Sequence, residues 1–334
     1  MLRPVFLCVV TLLWQVTLWA LPRDWPQSGV IVLPDAGRMP LLKAIQDAKE
    51  NLQVAAYKLT DDTVVGALRE AAQRGVCVEI LLTKNMYRHD RQVDQSQTRK
   101  AQFERVGIKV YEAPEDFDQL HYKMLVVDKK YALVGTGNWD TESFDGHTTE
   151  KPARDFMVTL TEESAIKELL YVFYKDARRE PTSLTGTRFI WSPDAGREPF
   201  VALVASAKKS LWIYQQDIQD RMLVGAMAEA VRRGIEVRLL MMPFPFSKSR
   251  DDNIPHQRHL KAMGAQVRLM THLYGHAKVM ILDAGEESEK IYVGSANFYP
   301  QSLEKNRELG VVLADSDAVE CIKTVFLRDW HMAQ

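Results

Sequence analysis

Cysteine is scarce in this chain, with three residues among 334. Cys8 belongs to an apolar N-terminal segment, which leaves Cys77 in a strand-like run and Cys321 in a helix-like run. Two buried free thiols are the expected state of this pair. An oxidising compartment would permit a disulfide, and the sequence leaves that pairing open. No dedicated metal-binding motif stands out either, so we expect no metal site and no cofactor.

An excess of charge of either sign is also missing. The chain has 43 Lys and Arg against 44 Asp and Glu, a formal net charge of −1. This balance offers no general attraction to nucleic acid, because non-specific binding of polyanions rests on a basic surface. Basic residues do cluster within 84–109 and 248–261, but acidic residues are interspersed there. Solvated helix faces are the expected interpretation of both stretches.

Long apolar runs are missing except at the N-terminus. Residues 4–20 are almost wholly apolar and follow Arg3, an arrangement typical of a secretory leader. We interpret residues 1–21 as a signal peptide or, since the run is at the short end for a spanning helix, as an N-terminal membrane anchor. Both interpretations predict an exported protein that is periplasmic, secreted or anchored to the membrane.

The rest of the chain is an internal repeat. Segments of matching sequence recur in the same order in two copies. The aligned pairs are PDAGR at 34–38 and 193–197, VGALREAAQRG at 65–75 and VGAMAEAVRRG at 224–234, ARDFMVTL at 153–160 and NRELGVVL at 306–313, and VFYKD at 172–176 and VFLRD at 325–329. The duplication therefore covers nearly everything after the N-terminal segment.

Each copy alternates short β-prone apolar runs with longer helical patterns such as 41–50 and 62–74, which is typical of α/β layered domains. We predict an α/β fold of two similar halves, each a mixed β-sheet flanked by helices, packed about a pseudo-twofold axis. The predicted halves are residues 22–180 and 188–334. Residues 181–187, within a stretch rich in polar residues and turn formers, are the predicted linker.

Each copy also contains a histidine two residues before a lysine, followed by a Gly-Ser/Thr-x-Asn phrase. These motifs are His121-Tyr-Lys123 with Asp128 and GTGN at 135–138, and His276-Ala-Lys278 with Asp283 and GSAN at 294–297. A single copy of such a motif would most often lie at the protein surface and have no catalytic role. Two copies in register within a duplication resemble the phospholipase D superfamily, whose active site joins two H-x-K-x4-D motifs.

Two histidines and two lysines can together cleave a phosphodiester without a metal. One neutral imidazole attacks phosphorus to form a covalent phosphohistidine, and the other, protonated, donates to the leaving oxygen. Lys123 and Lys278 stabilise the negative charge that develops on the phosphoryl oxygens. The resemblance implies His121 as nucleophile and His276 as general acid. Because the two work in opposite protonation states, we expect a bell-shaped pH profile.

Four further polar residues of the Gly-Ser/Thr-x-Asn phrases are candidates for the same site. Asn138 and Asn297 can donate amide hydrogens to the phosphoryl oxygens, and Thr136 and Ser295 can support that shell. Each histidine and lysine of a motif should project from the same face of one strand.

Carboxylates are expected in two different roles. The resemblance implies that Asp155 and Glu308, which precede apolar strands in the two copies, orient the catalytic histidines, as the acid of a catalytic triad does. Asp128 and Asp283 have the opposite strand parity to the histidines and lie farther along the chain. We therefore predict a structural role for these two motif acids.

The substrate depends on the walls of the cleft. The apolar loop MMPFPFSK at 241–248 follows a strand, and it is either an acyl-chain or membrane contact or an ordinary strand end with a Pro-rich turn. We predict a phospholipase D-type enzyme that acts on phospholipids at a membrane surface, as a monomer with one composite site. An exported nuclease cleaving DNA or RNA and a cardiolipin synthase-like transferase are the alternatives. The complete motif set argues against a non-catalytic binding module.

Overall fold

The computed structural model of the chain describes residues 27–83, 93–145, 151–182, 184, 188–245 and 249–334, with the main chain alone for 93–98. The expected leader at 1–21 lies outside these residues. So do residue 183 and residues 185–187 of the predicted linker, and residues 246–248 of the apolar loop.

Helices and strands alternate in the same order in both halves. The first half contains β1 (Val30–Leu33), α1 (Met39–Asp47), β2 (Asn51–Ala56), α2 (Asp62–Gln73), β3 (Cys77–Leu82), α3 (Val93–Glu104), β4 (Lys109–Glu112), β5 (Lys123–Val127), β6 (Tyr131–Gly135), α4 (Thr141–Asp145), β7 (Ala153–Leu160) and α5 (Glu163–Arg178). The second half contains β8 (Phe189–Ser192), α6 (Glu198–Ala205), β9 (Ser210–Tyr214), α7 (Arg221–Arg232), β10 (Glu236–Met241), α8 (Ile254–Met263), β11 (Gln266–Leu269), β12 (Tyr274–Gly275), β13 (Val279–Leu282), β14 (Lys290–Gly294), α9 (Pro300–Glu304), β15 (Glu308–Leu313) and α10 (Ser316–Met332).

The two halves form two sheets of the same design. The strand order is β1-β7-β6-β5-β2-β3-β4 in the first sheet and β8-β15-β14-β13-β9-β10-β11 in the second. In each of these orders three neighbouring strands are parallel, as β2 and β3 are, and the other neighbours are antiparallel, as β2 and β5 are. The short β12 joins the first sheet by pairing in parallel with β7. The predicted α/β fold of two mixed sheets flanked by helices is confirmed, while the residue boundaries of the halves stay a prediction.

Local sequence explains why matching helices begin at matching positions. The aspartates Asp61 and Asp220 precede α2 and α7, and each carboxylate accepts hydrogen bonds from two backbone N–H groups of the first helical turn. Both helices are followed by a glycine, Gly75 and Gly234, in the left-handed region with φ of 93° and 84°. The same start and stop signals thus operate in both copies.

The hydrophobic core has a central part shared by the two halves and an outer part in each. The central part contains α5, α10 and the inner faces of both sheets, and Phe156 and Tyr214 meet there with ring centroids 5.5 Å apart. The outer parts lie under α1 and α2 and under α6 and α7. Trp139 and Phe298, which follow the motif asparagines, are buried in these outer parts.

The motif aspartates tether turns at some distance from the histidines. The Asp128 carboxylate accepts hydrogen bonds from the backbone N–H groups of residues 49–51 at 2.7 to 3.2 Å. Asp283 does the same for residues 208–210 at 2.7, 2.8 and 3.4 Å. Each aspartate therefore fixes the turn between the first helix of its half and the strand that follows it.

The cysteines differ from expectation. Neither is in a disulfide, but Cys77 is exposed and Cys321 is only partly buried. The expectation of two buried thiols was wrong for Cys77 because it is the first residue of β3, and the burial of that strand begins at Val78.

Among the described residues, helices of the length and hydrophobicity needed to cross a bilayer are absent.

Candidate active site

Each motif histidine lies just before a strand, on a segment that is hydrogen-bonded to the opposite half. The backbone N–H groups of His121 and Tyr122 donate to the carbonyl of Arg307 at 2.8 and 3.2 Å. In the other half, β12 leads to His276 and pairs in parallel with the start of β7. We expected histidine and lysine on one strand, but β5 begins at Lys123 and β13 begins after Lys278. Contacts with the other half replace the strand pairing there.

The two candidate orienting acids each contact the histidine of the other half. His121 Nδ1 lies 2.8 Å from Glu308 Oε2. His276 Nδ1 lies 3.0 Å from both carboxylate oxygens of Asp155. An ionised carboxylate only accepts hydrogen bonds, so Nδ1 of each imidazole carries the hydrogen and Nε2 remains for substrate. The site is therefore built from both halves at once.

The two acids differ in how many other groups they bind. Glu308 accepts hydrogen bonds from the Ser295 hydroxyl at 2.5 Å, the Ser302 hydroxyl at 2.6 Å and the Asn306 amide at 3.3 Å. Besides its histidine, Asp155 accepts the Thr136 hydroxyl at 2.5 Å. Thr136 and Ser295 thus hold the acids, and the histidine-acid pairs differ in electrostatic environment although their sequence motifs match.

Both lysines are fully buried and curl back onto their own motif. Lys123 Nζ donates to the His121 carbonyl and Lys278 Nζ to the His276 carbonyl, each at 2.5 Å. Burial first, and then repulsion from Lys278, lowers the pKa of Lys123 to about 7. Burial also lowers the pKa of Lys278 to about 8. Ammonium groups of this kind can bind a phosphate anion.

The side chains that contact the lysines differ between the halves. The Tyr57 ring lies 4.9 Å from the His121 ring, centroid to centroid, and 5.6 Å from Lys123 Nζ. At the position of the repeat that matches Tyr57, Gln216 accepts a hydrogen bond from Lys278 at 3.4 Å. Sequence analysis missed both residues, since they follow strands β2 and β9 outside any repeated motif.

The histidines themselves are nearly buried, with 8% of His121 and 9% of His276 exposed. Burial first, and then the charges of Lys123 and Lys278, lower the pKa of each to about 4, although the partner carboxylate opposes the change. Both imidazoles are therefore neutral at pH 7 before substrate binds. A bound phosphodiester anion offsets the lysine charges and so raises the pKa of both histidines.

The candidate asparagines are also buried, with 9% of Asn138 and 2% of Asn297 exposed. Within the part of the chain that the structure describes, the side-chain oxygen of neither has a hydrogen-bond partner. Over the same residues, a group of three or more His, Cys, Asp or Glu side chains able to hold a metal ion is not found.

A second set of cross-half contacts holds the candidate acids in place. Arg307 precedes Glu308 and donates to Asp176 of α5 at 3.0 Å, and Arg154 precedes Asp155 and donates to Asp329 of α10 at 2.7 Å. Both arginines are almost fully buried. We call these the buried arginine clusters. Their signal in the sequence is the alignment of ARD with NRE and of VFYKD with VFLRD, which we interpreted only as repetition.

Comparison with known proteins agrees with this arrangement. The sequence matches the family described as "Cardiolipin synthase, PLD-like domain" over residues 41–176 and again over residues 200–330. The chain belongs to the phospholipase D superfamily. Each of the two matches falls in one half of the fold, so the predicted family is confirmed.

Relatives with assigned names match most or part of the chain. Two proteins from Pseudomonas putida, each named cardiolipin synthase A, are 23% and 24% identical in alignments 373 positions long, gaps included, which cover 92% of this chain and 73% of theirs. A cardiolipin synthase of Alkalihalophilus pseudofirmus is 34% identical over 103 residues, or 30% of this chain. These relatives support an enzyme of phosphodiester chemistry.

Solved structures agree on the fold. Phosphatidylserine synthase from Haemophilus influenzae superimposes with a TM-score of 0.64 over 91% of this chain and 86% of that chain, at 14% identity. Polyphosphate kinase from Porphyromonas gingivalis superimposes with a TM-score of 0.66 over 90% of this chain and 50% of that chain, at 16% identity. At such identities the likeness concerns the phospholipase D fold alone.

Proposed function

We propose that this protein transfers or hydrolyses the phosphatidyl group of phospholipids through a covalent phosphohistidine, without a metal ion. The observation that supports this most is the meeting of two histidine-carboxylate pairs and two buried lysines, contributed by both halves of one chain. Such a site supplies a nucleophile, a proton donor and charge stabilisation together.

The difference between the two acids supports His121 as the nucleophile. Glu308 shares its charge with three further donors, so it stabilises a protonated His121 less. Asp155 directs both oxygens at His276. When a phosphodiester raises the pKa of both imidazoles, His276 takes the proton first and becomes the general acid.

The proposed reaction then balances in two steps. His121 Nε2 attacks phosphorus, a P–N bond forms, the P–O bond to the leaving alcohol breaks, and His276 gives its proton to that oxygen. Neutral His276 next removes a proton from water or an acceptor alcohol, whose oxygen attacks phosphorus and breaks the P–N bond. Lys123, Lys278 and the asparagine amides stabilise the phosphoryl oxygens in both steps.

Phospholipid is the substrate that the comparisons support, since the curated relatives are named cardiolipin synthases. Within the described ranges, no observation of the structure favours a nucleic-acid substrate. We expected the two basic stretches to be solvated helix faces. Basic side chains in them form ion pairs with acids, as in Lys100–Glu112 at 2.9 Å and Arg250–Asp252 at 2.7 Å. Export, with the N-terminal segment cleaved or retained, is part of the same proposal.

Vesicle turnover tests the substrate and the metal independence. The full chain is incubated with mixed phospholipid vesicles, EDTA and a short alcohol, and both head-group release and phosphatidyl-alcohol are measured. Formation of the phosphatidyl-alcohol is the expected result, because an alcohol competes with water for the covalent intermediate. Turnover that EDTA abolishes, or the absence of turnover by folded protein, would contradict the proposal.

Trapping of the intermediate tests the roles of the two histidines. With an aryl phosphodiester, whose leaving group needs no proton, His276→Ala is expected to form a stable adduct that intact-protein mass spectrometry detects. His121→Ala is expected to form none. An adduct on His276 in the His121→Ala protein would reverse the assignment.

A further inference from the structure

Large apolar side chains are about half exposed, or more, at a few positions. Among the described residues these are Met39, Tyr171, Met222, Phe244 and Met332. Met222 lies in the segment that follows β9, and Phe244 in the segment that follows β10. Because these neighbouring strands are parallel, both residues lie at the edge of the second sheet that is formed by the carboxyl ends of its parallel strands. The same edge carries Gln216, which contacts Lys278. Both exposed side chains therefore lie on the active-site side of the molecule.

Buried polar contacts fix the position of Phe244. Its backbone N–H donates to the Asp251 carboxylate at 3.0 Å, which also accepts the N–H of Asn253 at 3.0 Å. The Asn253 amide donates to the carbonyl of Gln216 at 3.1 Å. Phe244 has φ of 48°, a left-handed conformation that is strained for an aromatic residue. The protein thus holds a half-exposed aromatic ring on the active-site side of the molecule against a conformational cost.

The internal repeat provides a comparison for Met222. The helices α2 and α7 begin with the same aspartate cap, but the next two residues are Asp62 and Thr63 in the first half and Arg221 and Met222 in the second. A cation at a helix N-terminus opposes the helix dipole, so helix stability does not account for Arg221. The helix start of the second half is therefore basic and apolar, whereas the matching start in the first half is acidic and polar.

We propose that this edge, defined by Arg221, Met222 and Phe244 and called the docking edge, binds the surface of an anionic phospholipid membrane. Apolar side chains enter the boundary between head groups and acyl chains, and an arginine beside them is attracted to lipid phosphates. The inference rests on the proposed function, since docking there presents lipid head groups to the site.

The first half supplies the residues for a test. Arg221→Asp combined with Met222→Thr gives α7 the helix start of α2, which the same cap already supports, and a second variant is Phe244→Ser. Tyr171→Thr is the control, because Tyr171 is exposed to a similar extent on α5 and the matching residue of α10 is Thr324. None of these side chains belongs to the proposed catalytic machinery.

Amide hydrogen exchange with and without vesicles of equal parts phosphatidylglycerol and phosphatidylcholine gives a local readout in the full chain. Slower exchange is expected in peptides over 220–226 and 240–245 and unchanged exchange over 61–67, the matching first-half segment. The N-terminal segment is common to all variants and is read in its own peptides. Vesicle affinity is expected to fall at least about tenfold in both docking-edge variants and to stay constant in Tyr171→Thr.

Unchanged exchange at 220–226 and 240–245, equal slowing at 61–67, or wild-type affinity of the variants would overturn the docking edge. So would equal affinity for vesicles of phosphatidylcholine alone. Turnover of a short-chain phospholipid below its micelle concentration separates this inference from the proposed function, because the docking-edge variants are expected to keep it. If no phospholipid is turned over while the docking edge still gains protection, the proposed function fails and the docking edge stands.

Discussion

At the scale of single residues, burial determines the chemistry of the site. The lysines have almost no exposed surface, so each ammonium loses its proton at a lower pH than it would in water. The histidines gain a carboxylate partner and still remain neutral at pH 7. Both effects favour a free enzyme in which the imidazoles are ready to attack and the lysines are partly charged.

These shifts predict the pH dependence of kcat/KM. Activity should fall as pH drops through about 4, because protonation removes the free imidazole at His121. It should also fall as pH rises, first because His276, whose pKa in the free enzyme is also about 4, loses the proton that it donates to the leaving group. It should fall more steeply through about 7 to 8, because Lys123 and Lys278 lose the charge that binds the phosphodiester. A profile of initial rates at low substrate concentration checks this. An alkaline limb near the ordinary lysine pKa would contradict it.

Gly137 provides a second prediction at this scale. A Cβ at this position would lie 2.7 Å from the Asp155 carboxyl group, so that acid would have to move away from its contact with His276. Gly137→Ala should lower kcat by about tenfold or more with the fold retained, because small displacements of catalytic groups are costly.

Ala296 occupies the matching position in the second half, and Ala296→Gly is the control for Gly137→Ala. It should have a small effect on kcat, since it removes a methyl group and adds no contact. Comparable losses in the two variants would show that the Gly137 effect is a general disturbance of the GTGN turn.

At the scale of helices and strands, repetition in the sequence allowed much of the arrangement to be predicted. The division into two similar halves and the two histidine-lysine pairs follow from it, whereas the orienting role of Asp155 and Glu308 was implied by the family resemblance. Which acid contacts which histidine does not follow, because the acids occupy matching positions of the repeat and the sequence is compatible both with pairing inside each copy and with pairing between copies. That choice depends on how segments before β5 and β13 meet the opposite half.

The buried arginine clusters join these elements. Asp176→Asn should destabilise the protein by up to about 3–5 kcal/mol, because it removes one of the two carboxylates, Asp176 and Asp194, that pair with the buried Arg307 guanidinium. The more exposed pair of Asp62 and Arg99 is the control, and Asp62→Asn should change stability little. Chemical denaturation of both variants checks this expectation. Equal, small effects would mean that the clusters contribute little to joining the halves.

At the scale of the whole molecule, the active site exists only where the two halves meet. The central core contains residues of both halves, and each candidate acid contacts the histidine of the other half. Sequence patterns indicated two halves, but they did not reveal the contacts between them, such as the pairing of β12 with β7 and the hydrogen bond from the His121 N–H to the Arg307 carbonyl.

A mixing experiment follows from this arrangement. His121→Ala and His276→Ala proteins, each inactive, should stay inactive when they are mixed, because one chain supplies both histidines of its own site. The wild-type chain at equal concentration serves as the reference. Turnover in the mixture would indicate that two chains exchange halves to build the site. That result would contradict the predicted monomer with one composite site.

The contact of each acid with the histidine of the other half also has a consequence for the evolution of such a chain. A half by itself lacks the partner for its own histidine, so it would reach a complete centre only by meeting a second copy. Joining two copies in one polypeptide makes that encounter intramolecular and independent of dilution. Once joined, the copies no longer have to stay identical. Tyr57 and Gln216 occupy matching positions of the repeat, as do Asp62 and Arg221. Two separate chains of identical sequence could not contain such differences.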